Sequence, residues 1–150
     1  MPPPAINTAK LYGILVTYRR DNMLEETLQS LAIQDRRVDH LFVVDNAPSG
    51  AGESAVERYR GAGLSADYLP SPLNVGPAGG IAMGMKALLK KAGSSDWVVL
   101  LDDDDPPTRS QTLGVLWSFA HMALGIDPNT AGVGRGGSRF SRRRGIVKRI

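Results

Sequence analysis

Four short apolar runs, each separated from the next by helical or turn-forming sequence, limit the fold of this chain more than any other feature. KLYGILVT (Lys10 to Thr17), LFVVD (Leu41 to Asp45) and DWVVLL (Asp96 to Leu101) are nearly continuous in apolar residues, and ADYLP (Ala66 to Pro70) is a weaker run closed by its proline. Runs of this length, rich in β-branched residues and bounded by turn signals, predict strands buried on both faces. The intervening segments carry the helical period. Asn22 with Glu25 three residues on resembles a capping box, followed by Leu24, Leu28 and Leu31 on one face. A short helix is expected through Ala55 to Arg60. Ile81, Met85, Leu88 and Ala92 repeat at helical spacing, with Lys90 and Lys91 near the C-terminus and Gly93 placed to form a left-handed cap. A last helix is expected from about Thr108 to Leu124, turning Leu113, Leu116, Trp117, Ala120 and Leu124 inward. Strand and helix alternating in this way predict an α/β chain: a three-layer α/β/α sandwich around a mostly parallel sheet.

In such sheets ligands bind outside the carboxyl ends of the strands. Three of the four runs end in polar groups that should gather on one rim: Thr17, Tyr18 and Arg20 after the first, Asp45 and Asn46 after the second, Asp102 to Asp105 after the fourth. The last run, read as the central strand, delivers four adjacent carboxylates there. Like charges ~4 Å apart repel by about 4 kcal/mol at an effective dielectric of 20. Such a cluster therefore calls for water, a cation or partial protonation. On an extended backbone Asp102 and Asp104 point one way and Asp103 and Asp105 the other. The first pair makes a D-x-D motif suited to Mg2+ or Mn2+, hard cations that one or two carboxylates hold together with substrate phosphates. Asp105 is expected to cap a helix opened by Pro106 and Pro107. Asp103 is left without a role.

The segment NVGPAGG (Asn74 to Gly80) precedes the third helix, and its glycines would let backbone and ligand approach closely. It is neither of the familiar phosphate loops. Met85 separates Gly84 from Lys86 and no Ser or Thr follows, while the spacing of Gly76, Gly79 and Gly80 misses the dinucleotide pattern. Asp45 is placed to bond a ribose or base, or else to form an Asx turn in DNAPSG. Arg20 could meet a phosphate with its planar fork. His40 and His121 have no metal-ligand spacing, and Trp97, Trp117 and the methionines read as core.

Composition narrows the partners. The absence of cysteine excludes disulfides and thiolate metal sites. No apolar run approaches ~18 residues, and MPPPAINTAK lacks the apolar region of a secretory signal. A cytoplasmic protein, or one at the inner face of the membrane, is expected. Of the 18 basic residues seven lie from Arg135 onward, where there is no acid; the other eleven face all 15 acidic residues, so the rest of the chain carries −4. This tail could serve a nucleic acid or a membrane surface, but with Phe140 its only aromatic, a Gly-punctuated hairpin burying Phe140, Ile146, Val147 and Ile150 is favoured, and no nucleic acid is expected. The expected organisation is a flexible arm at 1–9, one α/β domain at 10–134 and a basic segment at 135–150.

Taken in order, T-Y-x-R, V-V-D-N, N-V-G-P-A-G-G and W-V-V-L-L-D-D-D-D resemble glycosyltransferase family 2, inverting nucleotide-sugar enzymes of the GT-A fold, over roughly Lys10 to Leu124. The N-x-G-P-A-G-G form is similar to the rhamnosyltransferase and galactofuranosyltransferase branches. The resemblance implies a Rossmann-like nucleotide-binding half in truncated form, with Thr17, Tyr18 and Arg20 lining the nucleotide and diphosphate pocket and Asp45 contacting the base. It implies that Asn74, Gly76, Gly79 and Gly80 frame the nucleotide sugar, that Asp102 lies near ribose and metal, and that Asp104 ligates the metal. It further implies a UDP-, dTDP- or GDP-sugar donor, Mg2+ or Mn2+, a glycan or lipid-linked acceptor and a part in cell-wall polysaccharide synthesis. Family members continue beyond the equivalent of Ile150 into an acceptor-binding half that carries the general base, so the base is expected there. Two other readings stand beside it: a non-catalytic nucleotide-binding or assembly module using the basic tail, and a haloacid-dehalogenase-type phosphotransferase, disfavoured because Pro106 stands where that family wants Thr. Exposed apolar surface is expected along one sheet edge, which a homodimer could cover.

Overall fold

The computed structural model describes residues 9–134 and the backbone of two short strands at 138–141 and 146–149. The elements run β1 (Leu11–Thr17), α1 (Asp21–Ala32), β2 (His40–Asp45), α2 (Ala51–Gly61), β3 (Ala66–Pro70), α3 (Gly76–Leu88), β4 (Trp97–Asp102), α4 (Thr112–Ile126), β5 (Ser138–Ser141) and β6 (Ile146–Arg149). The first four strands form a parallel sheet in the order β3-β2-β1-β4, and β5 and β6 pair as an antiparallel hairpin. The expected α/β alternation and the tail hairpin are both present. The burial of Phe140, Ile146, Val147 and Ile150, and the state of nearly all the N-terminal arm, lie outside the described residues. The chain divides into two compact units, Met1–Leu113 and Gly114–Ile150.

In the first unit, alternation along β1 sorts its side chains onto two faces. Tyr12, Ile14 and Val16 join Phe42, Val44 and Leu88 in one cluster, against which Ile81, Met83 and Met85 of α3 pack. Two glycines set how closely α3 approaches: a Cβ on Gly80 would lie 2.6 Å from Val16 Cγ1, and one on Gly84 would lie 2.5 Å from Ile14 Cγ2. The opposite face belongs to α1 and α2, where Gly52 of α2 packs beside Asp45, Leu24 and Tyr68. Leu24, Leu28 and Leu31 are buried, as their spacing predicts. Burial of each contributes about 2 kcal/mol.

The structure corrects several expectations. The run WVVLL is not central: among the described residues β4, like β3, is an edge strand, and β1, buried at all seven positions, lies inside beside β2. An apolar run reads the same whether one or both of its edges are paired. Leu100 is 52% exposed, in keeping with the expected apolar surface at an edge. No capping box forms, because α1 starts at Asp21 with Arg20 at the N-cap position, and Glu25 pairs with Arg58 instead. Asp105 caps no helix. A residue before proline is pushed out of the helical region, so Asp105 and Pro106 stay irregular and α4 begins only at Thr112. Its entry is fixed by Gln34, whose Oε1 accepts the Leu113 N–H at 3.0 Å while its Nε2 donates to Arg109 O at 2.8 Å. Helix α3 ends at Leu88; Lys90 and Lys91 close a tight turn through N–H bonds to the carbonyls of Ala87 and Leu88, and Gly93 is not left-handed. The second helix is longer than expected, beginning at Ala51.

In α4, Leu113 and Ala120 are buried and Leu116, Trp117 and Leu124 are half-buried. The helix has no charged residue, and Val115, Phe119, Met122 and Ile126 are exposed. Met122, and Met23 in α1, are exposed and are not core residues. No helix among the described residues is long and apolar enough to cross a membrane.

Candidate functional site

The parallel register brings the strand ends together. Thr17 lies beside Asp45 on one side, and Val16 beside Asp102 on the other. The polar groups expected after β1, β2 and β4 therefore share one rim, and three of them with Asp103 form a connected network on the α1 side. Asp103, just past the end of β4, is 5% exposed. Its Oδ2 accepts the Thr17 hydroxyl at 2.7 Å, its Oδ1 accepts Arg20 NH1 at 3.1 Å, and its backbone carbonyl accepts the Thr27 hydroxyl at 3.0 Å. A buried carboxylate is tolerated only when paired and hydrogen-bonded. Asp103 meets that condition and pins the end of β4 to β1 and α1.

The same NH1 of Arg20 donates to Asp104 Oδ2 at 2.5 Å. Hydrogen bonds to Asp104 first, then Asp103, push the Arg20 guanidinium above its already high ordinary value. Asp104 and Arg20 are each about half exposed (49% and 48%), so this part of the network reaches solvent. Asp102 is exposed and forms no side-chain hydrogen bond or ion pair among the described residues. The four aspartates thus divide by environment: Asp103 buried and bonded, Asp104 half-exposed on Arg20, Asp102 and Asp105 exposed.

Tyr18 and Arg19 connect β1 to α1. Tyr18 is 40% exposed, with the Arg19 guanidinium 5.1 Å from its ring centroid. Arg19 has φ 54°, a left-handed backbone that costs a residue with a Cβ about 1–2 kcal/mol. That turn places Arg20 at the helix start, where its side chain can swing back to Asp103.

Asp45 is 1% exposed. Its Oδ1 accepts the Ala47 N–H at 2.9 Å in an Asx-type turn, and its Oδ2 accepts the Tyr68 hydroxyl at 2.8 Å. Burial, reinforced by that hydrogen bond and by the charge of Asp45, pushes the Tyr68 phenol up.

On the α3 side, Asn46 joins β1, β2 and the loop before α3. Its N–H donates to Thr17 O at 2.9 Å and its Nδ2 to Gly76 O at 3.2 Å. Its Oδ1 is buried without a partner among the described residues. Asn74 is exposed and accepts the Gly76 N–H at 2.9 Å through Oδ1. Gly76 has φ 69°, a conformation that favours glycine, and opens α3 with Pro77 directly after it. Gly79 and Gly80 occupy the first turns, Gly80 buried against Val16.

Thr17, Arg20 and Asp104 are thus joined in one network; Asp45, Asn74, Gly76 and Gly80 are ordered around the same strand ends, while Tyr18 and Asp102 stand exposed. Sequence reasoning placed Asn46 and Asp103 on the rim without giving either a bonding role, and missed Thr27 and Tyr68. The alternation that turns Asp102 outward was the available signal that Asp103 turns inward.

No group of three or more carboxylate or imidazole side chains suited to a metal ion occurs among the described residues. Asp102 and Asp104 nonetheless fit a hard cation whose remaining ligands come from a diphosphate and water, since both present carboxylate oxygens to solvent on the rim.

Residues 14–146 match the family model for glycosyl transferase family 2. The chain is 37% identical over 152 residues to galactofuranosyltransferase GlfT1 of Mycobacterium tuberculosis, covering 95% of this chain and 47% of that protein. It is 38% identical over 115 residues to GlfT1 of Mycolicibacterium smegmatis, covering 77% and 36%. Among solved structures it is similar to mannosyltransferase PcManGT of Pyrobaculum calidifontis, in complex with GDP-Man and Mn2+, at TM-score 0.63 and 25% identity over 94% of this chain and 38% of that one. It also shares its fold with S. aureus TarS 1-349, at TM-score 0.58 and 23% identity over 88% and 42%. The chain spans about half the length of the curated relatives it matches. With the four motifs at one rim of a GT-A sheet and a family match over most of its length, the chain belongs to glycosyl transferase family 2.

Proposed function

We propose that this chain forms the donor-binding part of a metal-dependent, inverting glycosyltransferase that takes a sugar, galactofuranose in the first instance, from a nucleoside diphosphate to an acceptor hydroxyl. The observation that carries this reading is the presentation of Asp102 and Asp104 beside a fixed Arg20–Asp103–Thr17 network at the carboxyl ends of the strands. A Mn2+ or Mg2+ ion bound there would offset the charge that develops on the departing diphosphate. The resemblance to GlfT1 supports the sugar, and the GDP-Man and Mn2+ held by the mannosyltransferase support the donor class and the cation.

In this reading Asp102 and Asp104 supply the cation's carboxylates and Arg20 faces the diphosphate. Tyr18 offers an exposed ring beside the base, and Asp45 reads the base from its bonded position. Asn74 and the backbone of Gly76 to Gly80 frame the sugar. The acceptor is a glycan or lipid-linked saccharide, and the work is done in the cytoplasm or at the inner face of the membrane. The general base is not assigned among the described residues.

Isothermal calorimetry with UDP, dTDP and GDP, each with and without Mn2+, tests the reading. One nucleoside diphosphate is expected to bind only with the cation, and Asp104→Ala should abolish that dependence. Failure of all three to bind would remove the proposal.

A further inference from the structure

We infer that Arg20 acts as an internal counter-ion for the cation site, exchanged onto the diphosphate when donor and metal arrive, so that metal and nucleotide bind together rather than one after the other. This rests on the donor-binding reading above. The argument begins with one nitrogen: Arg20 NH1 spans Asp103 Oδ1 at 3.1 Å and Asp104 Oδ2 at 2.5 Å. A guanidinium in contact with a carboxylate opposes a divalent cation at that carboxylate twice, by occupying an oxygen and by placing a positive charge beside the ion.

The two acids are not held alike. Asp103 is fixed by Thr17 at its other oxygen and its side chain is buried, whereas the Asp104 side chain is 49% exposed and has no second side-chain partner among the described residues. Asp104 can therefore leave Arg20 while Asp103 retains it. The Nε and NH2 of Arg20 donate no hydrogen bond among the described residues, and the side chain is 48% exposed. That free edge has the geometry to take two oxygens of a phosphate. The exchange keeps charge balanced: Asp104 passes from Arg20 to the cation, and Arg20 from Asp104 to the diphosphate.

The test measures Mn2+ binding by electron paramagnetic resonance, with Mn2+ alone and then with whichever of UDP, dTDP and GDP binds the wild-type chain tightest. The wild type should bind Mn2+ weakly alone and at least about tenfold tighter with nucleotide, within the usual range of coupling between sites. Arg20→Met should bind Mn2+ alone about tenfold tighter than wild type and lose most of that coupling. Arg20→Lys keeps the charge without the fork, so it should stay within about threefold of wild type for Mn2+ alone while coupling falls. A cooperative urea transition confirms that each variant folds; the midpoint of Arg20→Met should fall, because it leaves the buried Asp103 carboxylate on Thr17 alone, while Arg20→Lys keeps a charge beside it. Unchanged or weaker Mn2+ binding by Arg20→Met in the absence of nucleotide overturns the inference. If no nucleotide binds the wild type, the proposed function falls, and the Mn2+-only comparison still decides the role of Arg20.

Discussion

The two ends of the same four-stranded sheet carry charged clusters of opposite character. At the amino ends, Asp67 accepts from Lys91 Nζ at 2.9 Å and lies 3.0 Å from His40 Nε2, whose Nδ1 in turn meets the Ser65 hydroxyl at 2.7 Å. Asp39 there accepts the Leu11 N–H and Arg36, and Asp96 accepts the Lys10 N–H. Each of these acids has a partner, and the cluster closes the strand ends. At the carboxyl ends, by contrast, Asp102 is unpaired among the described residues, the buried Asn46 Oδ1 has no partner, Arg19 holds a left-handed backbone, and one guanidinium nitrogen serves two acids. Polar groups left unsatisfied inside a fold are costly. The buried polar atom without a partner among the described residues, Asn46 Oδ1, lies at the carboxyl ends, the end proposed to meet the donor.

The largest effect is expected where the rim network is buried. Asp103→Asn keeps the volume but weakens the charge that holds Thr17 and Arg20. It should lower stability by about 1–3 kcal/mol in urea unfolding. It should also weaken Mn2+-dependent nucleotide binding at least tenfold by calorimetry, although Asp103 is assigned no contact with the ligand. Asp67→Asn at the other end should leave nucleotide binding unchanged. Equal losses in both variants would break the distinction between the two ends.

Next come the glycines that seat α3. A methyl group at Gly84 meets Ile14, and one at Gly80 meets Val16 with Asn46 Nδ2 3.4 Å away. Overpacking costs about 1–3 kcal/mol, and the better helix propensity of alanine returns up to about 1 kcal/mol. Both Gly→Ala variants should therefore be destabilised by about 1–2 kcal/mol. Only Gly80→Ala should also lose nucleotide affinity, because it displaces the helix start and Asn46. Asn46→Ala sharpens the point. It removes one bond to Gly76 O, worth about 1 kcal/mol, and an Oδ1 that has no partner to lose. A loss of nucleotide affinity larger than the loss of stability would show that the orphaned oxygen awaits the ligand.

The frame of the molecule was readable because β1, β2 and β4 are apolar runs and the leucines of α1 keep helical spacing, local signals that survive without knowledge of neighbours. Strand order was not, since nothing within WVVLL tells an edge from a centre. The capping box at Asn22 and the cap at Asp105 failed for a shared reason: residues with good local propensity were overruled from a distance, Arg20 by the acids after β4 and the start of α4 by Gln34, 79 residues before Leu113. The same separation hid the role of Asp103, whose partners Thr17 and Arg20 lie 86 and 83 residues away. Residue type and alternation identified which side chains reach the rim. Which of them bond there is a tertiary fact.

The smallest effect belongs to the closed end. Burial pushes the Asp67 carboxyl up, but hydrogen bonds from Lys91 and His40 outweigh it and hold the group below its ordinary value of 3.8. For Asp39 burial acts the same way and is outweighed by the Leu11 N–H and Arg36. A carboxyl whose folded pKa is depressed stabilises the fold above its unfolded pKa, and that stability is lost as pH falls through the folded value. Both side chains are about 40% exposed, at 40% and 39%, so solvent screening limits each contribution to a few tenths of a kcal/mol. Lys91→Ala should therefore lower the urea midpoint slightly at neutral pH, and its difference from wild type should shrink as the pH falls below 3.8 through the lowered folded value of Asp67. Because this cluster lies at the opposite strand ends from the proposed donor site, nucleotide binding at neutral pH should be the same in both proteins. A Lys91 variant that lost nucleotide affinity without losing stability would place function at the amino ends as well and end the contrast.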